Sequence, residues 1–169
     1  MDKMLITQGE QAIGDRPDQV ISTLLGSCVS CCLWDPVAGV GGMNHMLLAT
    51  SAADHGPGNL AGINAMELLI NAILKQGGQR HRLQAKAFGG AKMVSGLSDI
   101  GRANSDFTLQ FLAREGIVCV GHSFGGTSAR SLKFWPATGR ALQRISSEIP
   151  DEVMQIAAKP PESNDLELF

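Results

Sequence analysis

The chain has 169 residues, is 44% hydrophobic and carries a formal net charge of -2. That length suits one domain with a real apolar core, and without a basic run the chain lacks the electrostatic footprint of a nucleic-acid binder. No segment reaches the ~20 apolar residues of a membrane span, and MDKMLITQGE at the start holds no signal-length apolar stretch, so the expectation is a cytoplasmic protein without direct membrane insertion.

In chain order, Met4 to Thr7 reads as a short edge strand. Val20 to Leu25 favours a pleated, half-buried surface and reads as a strand. Gly26-Ser27 interrupts it, and Val29 to Trp34 resumes as a second apolar run closed by Asp35-Pro36. A third run, Val40 to Leu48, contains His45. Residues 50–62 are polar and glycine-rich, a loop. Leu60, Ile63, Met66, Leu69, Ile70 and Ile73 then recur at helical spacing, and Gly77-Gly78 stops the pattern, which predicts a helix over 61–76. Leu83 to Phe88 reads as a strand, residues 102–115 as a second helix, and Ile117 to Gly121 as a buried strand. Leu132 to Trp135 and Arg140 to Ile145 flank Pro136-Ala137-Thr138-Gly139 as a hairpin. Asp151 to Ala158 reads as a last strand or short helix.

Strands outnumber helices and separate the two good ones. The expected class is α/β: a layered sandwich of mixed, largely antiparallel strands with helices covering the sheet faces. Residues 1–158 form a single domain in this reading, and 159–169, rich in proline and acidic residues, a disordered tail.

Four cysteines are present, Cys28, Cys31, Cys32 and Cys119, three of them clustered, which is unlike a disulfide scaffold. Cys28 stands out because Gly26-Ser27-Cys28 turns the chain between two strands. A turn made strained by glycine exposes a side chain and aims backbone N–H groups of Gly26 and Ser27 at one spot, as an oxyanion requires. His45, on a neighbouring run, is the candidate base: an imidazole beside a thiol takes its proton and returns it to a leaving group. A third group should orient the histidine. Ser22 and Thr23 both precede the corner, and strand alternation lets only one of them face it. A Cys28-x-x-Cys31 redox pair is disfavoured because such motifs open a helix rather than a strand. A zinc site from Cys28, Cys31, Cys32 and His45 is disfavoured because adjacent Cys31 and Cys32 point to opposite faces. Phe124-Gly125-Gly126-Thr127 lacks the lysine of a phosphate loop and reads as a structural turn. No cofactor and no metal are implied.

Leu25-Gly26-Ser27-Cys28-Val29 resembles the nucleophile motif of the chemoreceptor glutamine deamidase family, CheD, and Gly42-Met43-Asn44-His45 resembles its histidine motif. Gly89-Gly90-Ala91-Lys92-Met93, Ile100-Gly101, Asn104 and Gly125-Gly126-Thr127-Ser128-Ala129-Arg130 follow in matching order. The resemblance implies an α/β sandwich that hydrolyses selected glutamines to glutamate in the cytoplasmic helices of methyl-accepting chemotaxis receptors through a thioester, with a CheC-type phosphatase as a further partner. It implies Cys28 as nucleophile and His45 as base. The family's third residue, a threonine six places before the cysteine, falls on Ser22 here, with Thr23 one register away. Two rivals stand beside this reading. One is another thiol acyl-transfer enzyme, such as a protease or transglutaminase. The other is a non-catalytic module that binds receptors or the phosphatase.

Overall fold

The computed structural model describes residues 2–48, 59–93, 99–146 and 166–169. Two five-stranded sheets stack face to face. The first sheet has the order β1 (Asp2–Leu5), β3 (Gln19–Leu25), β8 (Arg130–Trp135), β9 (Arg140–Ile145), β10 (Leu166–Leu168). The second has the order β2 (Gln11–Gly14), β5 (Val40–Asn44), β4 (Val29–Asp35), β6 (Gln84–Gly89), β7 (Val118–Phe124). Only β1 with β3 and β6 with β7 run parallel; the other neighbours are antiparallel.

Two helices, α1 (Leu60–Lys75) and α2 (Ile100–Arg114), cover the outer face of the second sheet. The expected layering therefore takes a specific form: helices, sheet, sheet. Each helix starts on a side-chain cap, Asn59 Oδ1 accepting from Gly62 N at 2.9 Å and Asp99 Oδ1 from Arg102 N at 2.9 Å.

Strand β4 is central and buried along its whole length, so its period-2 alternation feeds two different cores. Val29, Cys31 and Leu33 meet Met66, Leu69 and Phe111 of the helices. Cys28, Cys32 and Trp34 meet Ile21, Leu25 and Phe134 between the sheets. Cys31 and Cys32 thus lie in different layers, as expected of neighbours in a strand.

Asp35 closes β4. Its carboxylate accepts from Val37 N (2.8 Å), Ala38 N (3.0 Å) and Gln79 N (2.9 Å), and pairs with the Arg82 guanidinium at 2.9 Å. Burial pushes this carboxyl up, but the three N–H donors and the guanidinium together hold it below the usual range.

Three expectations change. Strand β2 has no counterpart in the sequence reading: it is four residues long and has little apolar pattern. Strand β7 is an edge strand, not a buried one, with Val118 63% and Val120 50% exposed. The acidic tail is not disordered at its end: Leu166–Leu168 pairs antiparallel with β9, and the Phe169 ring meets Phe88 edge-on at 4.9 Å. The strand or helix expected over 151–158 lies outside the described residues. The hairpin at Pro136-Ala137-Thr138-Gly139 forms between β8 and β9.

Candidate active site

The chain crosses from the first sheet to the second between β3 and β4, and Cys28 stands at the end of that crossing. The corner is held from behind. Ala91 N donates to the Gly26 carbonyl at 3.0 Å and Gly90 N to the Cys28 carbonyl at 2.9 Å. Asn104 Nδ2 donates to the Ser27 carbonyl at 2.9 Å. Gly89 and Gly90 both have positive φ, 117° and 66°, and a Cβ on Gly89 would overlap the Cys28 carbonyl. No peptide bond among the described residues is cis, so each N–H here points opposite to the C=O of its own peptide. Fixing the Gly26 carbonyl on Ala91 and the Ser27 carbonyl on Asn104 therefore turns the N–H of Ser27 away from the Gly89–Ala91 loop and the N–H of Cys28 away from Asn104.

The corner is not strained: Gly26 is absent from the left-handed residues. Its glycine serves space instead, since a Cβ there would come within 3.3 Å of Met93.

His45 lies one residue beyond β5. Its N–H donates to the Glu10 carbonyl (3.0 Å), and its carbonyl accepts from Gly9 N (2.9 Å), so the turn between β1 and β2 grips it. The β4–β5 register continues past the strand as a bridge between Val29 and Met46. In that register Ser30 opposes His45 and Leu47 opposes Cys28, which makes Cys28 and His45 diagonal neighbours on one face, the face between the sheets. Diagonal pairs are within reach of long side chains.

Thr23 reaches this face from the other sheet. Its Oγ1 lies 2.7 Å from His45 Nδ1 and 2.7 Å from the Ile6 carbonyl. The carbonyl can only accept, so the single hydroxyl proton goes to Ile6 and Thr23 accepts from Nδ1–H. In the neutral ring Nε2 is then unprotonated and carries the free lone pair. Ser22 has the opposite parity. It stays partly exposed and the histidine's hydroxyl partner is Thr23, so the placement of Ser22 beside His45 is corrected.

Burial pushes the Cys28 thiol above its ordinary value of 9.0 and holds His45 below 6.5, the latter only partly opposed by the Glu10 carboxylate. Both shifts favour neutral partners.

An open groove of about 290 Å³ runs beside His45, walled by the Gln8–Gln11 turn, Leu47, Leu48 and the Ala61–Leu68 side of α1. Gln8 projects to the Cys28 thiol, with Oε1 3.9 Å from Sγ.

Asn104 enters the sequence reading only as part of a motif. It is fully buried on α2, and besides holding Ser27 it accepts from Leu48 N at 3.2 Å. One amide thus ties the cysteine corner to the segment after the histidine. The signal was present: an asparagine on the apolar face of a helix, one turn from Phe107 and Thr108 and two from Phe111. The Gly125-Gly126 turn is structural. Arg130, buried, donates to the carbonyls of Ser123 and Gly125, and the turn in turn bonds Gly89 and Lys92 behind the corner. His122 stacks on Phe124 in β7, away from His45's partners.

Among the described residues no helix is long and apolar enough to cross a membrane. A family model described as CheD chemotactic sensory transduction matches residues 47–145. A protein of Rhizobium leguminosarum bv. trifolii named probable chemoreceptor glutamine deamidase CheD is 55% identical over 141 residues, 82% of this chain and 77% of that protein. A protein of the same name from Caulobacter sp. (strain K31) is 48% identical over 174 residues, 99% of this chain and 93% of its own. Among solved structures, Bacillus licheniformis hypothetical protein YfiH aligns with a TM-score of 0.46 at 15% identity, covering 67% of this chain and 49% of that one. By the family model and by relatives aligned over most of their length, the chain belongs to the CheD family.

Proposed function

We propose that this protein hydrolyses glutamine side-chain amides in the cytoplasmic helices of chemotaxis receptors, with Cys28 as nucleophile, His45 as base and Thr23 orienting the base. The observation that carries the reading is the 2.7 Å contact of Thr23 Oγ1 with His45 Nδ1, which leaves Nε2 as proton acceptor on the face that His45 shares with Cys28. The names of the relatives supply the substrate class.

The mechanism starts from the face that Cys28 and His45 share and from burial, which disfavours the charged form of each. As sulfur attacks the amide carbon, Nε2 takes the thiol proton in the same step, because neither ion is stabilised beforehand. The tetrahedral oxyanion accepts from the N–H groups of Ser27 and Cys28. The C–N bond then breaks, His45 passes its proton to nitrogen, and ammonia leaves a thioester. Water adds to the thioester with Nε2 as base, the C–S bond breaks, and glutamate and the free thiol are regained.

Mass spectrometry of a receptor cytoplasmic fragment tests this. Incubation with the wild-type protein is expected to convert specific glutamines to glutamate, and Cys28→Ala to abolish the conversion. Equal conversion by both proteins overturns the assignment of the nucleophile. A cleaved or crosslinked fragment in place of released ammonia would move the protein to another class of acyl transfer.

A further inference from the structure

We infer that Gln8 is a second substrate of this site, deamidated by Cys28 of its own chain. The inference rests on the reading of Cys28 and His45 given above.

The described residues bring one glutamine amide to the thiol, and the backbone that carries it is held in place. The turn that carries Gln8 is pinned on both sides of it. Glu10 folds back, its Oε1 accepting from Thr7 N at 2.7 Å and from Thr7 Oγ1 at 3.0 Å, and Glu10 N donates to the Thr7 carbonyl at 2.9 Å. Gly9 N bonds the carbonyl of His45 itself. The backbone of Gln8 is thus held against the general base while its side chain spans to the nucleophile, with Oε1 3.9 Å from Sγ. The amide carbon lies about 1.2 Å from that oxygen. A near-attack separation of roughly 3–3.5 Å is then a side-chain rotation away. Nothing packs Gln8 rigidly, because the residue is exposed. Holding both groups on one chain also replaces an encounter with a rotation, which favours reaction by a large effective concentration.

The step balances with water alone. Nε2 of His45 accepts the Cys28 proton as sulfur bonds to the side-chain carbon of Gln8. The C–N bond breaks and ammonia leaves with that proton. Water cleaves the thioester, giving a glutamate side chain at position 8 and the free thiol.

A neighbouring glutamine supplies an internal control. Gln11 shares with Gln8 the peptide Asp2–Gly14, which a protease cutting before aspartate releases. Gln11 donates its amide to the Leu68 carbonyl of α1 at 3.4 Å, away from the thiol.

The test is fragment-ion sequencing of that peptide from full-length protein as purified and after timed incubation, for the wild type and for Cys28→Ala. The expected result is glutamate at position 8 in the wild type, with glutamine kept at 8 in Cys28→Ala and at 11 in both. Wild-type protein alkylated at Cys28 at the earliest stage of purification, which keeps the native sequence, is expected to accumulate no further glutamate at position 8. Equal conversion at Gln8 in wild type and Cys28→Ala, or conversion at Gln11 rather than Gln8, overturns the inference. Mixing wild type with Cys28→Ala is expected to leave Gln8 of the variant intact; its conversion would overturn reaction within one chain. A receptor fragment in the same tube separates the two claims. Receptor conversion with Gln8 left intact sinks self-deamidation alone, whereas no Cys28-dependent conversion of either sinks the active-site reading and this inference with it.

Discussion

The hydroxyl of Thr23 accepts from Nδ1–H of His45 at 2.7 Å, across the gap between two sheets, and donates its own O–H to the carbonyl of Ile6. Thr23→Val keeps the shape but leaves a buried N–H without an acceptor, at a cost of about 1–3 kcal/mol, and frees the ring to rotate or change tautomer. Deamidation kcat is expected to fall about 10- to 100-fold, in line with that energy. Thr23→Ser is expected to restore most of it and Ser22→Ala to change it little. The reverse ranking, measured on one receptor fragment, would return the role to Ser22.

Acid and base limbs follow from burial. Cys28 titrates above 9.0, so its alkylation by iodoacetamide is expected to climb steeply through alkaline pH without a plateau near neutrality. His45 titrates below 6.5, so kcat/KM is expected to rise with pH through a midpoint below that value. A neutral-pH plateau in alkylation would reveal a preformed ion pair instead.

The same shifts set stability. His45 is held neutral, with its folded value below the unfolded one, so its contribution is present above about 6.5 and is lost as pH falls through the folded value. The Cys28 contribution is present below about 9.0 and is lost as pH rises through its raised folded value. Urea midpoints for His45→Gln are expected to decline less than the wild type's between pH 6.5 and 5.

Asn104 bonds Ser27 and Leu48 at once. Asn104→Ala leaves a buried N–H and carbonyl without partners, and a loss of roughly 2 kcal/mol in urea denaturation is expected. Activity is expected to fall more than that stability loss would explain at temperatures where the variant is folded, because both catalytic segments lose a shared anchor.

Asp35→Ala removes the acceptor of three backbone N–H groups and strands Arg82. Destabilisation of about 3 kcal/mol is expected, with the kcat of the folded fraction unchanged. Phe169→Ala, at the other end of the inter-sheet core, removes the edge-on contact with Phe88 and is expected to cost about 1 kcal/mol. Calorimetric Tm values check both.

Periodicity made α1 legible, because a long element repeats its pattern enough times to outvote local noise, whereas β4 was legible as a continuous apolar run. The closeness of Cys28 and His45 was legible for a different reason: their two apolar runs are joined by a short turn, which pairs them as neighbours. Thr23 stood beside Ser22 as an alternative, and the six-residue motif spacing pointed to Ser22. Ile21 and Leu25, which must face the core, share a face with Thr23 and carried the correct register. Strand β7 looked buried because Val118 and Val120 are apolar, yet a strand at a sheet edge takes the same residues with one face open. The end of the tail looked disordered because three residues cannot show a period; only β9, distant in sequence, gives them a partner.

The crossing between β3 and β4 has a mechanical consequence. Thr23 belongs to one sheet, while Cys28 and His45 belong to the other, so the site is assembled only when the two sheets are seated in one relative position. A slide of one sheet on the other leaves every strand pairing intact and separates the orienting hydroxyl from the ring. Heat, or a small core substitution at Leu132 or Met43, is therefore expected to silence the chemistry while the circular dichroism of the strands is still native.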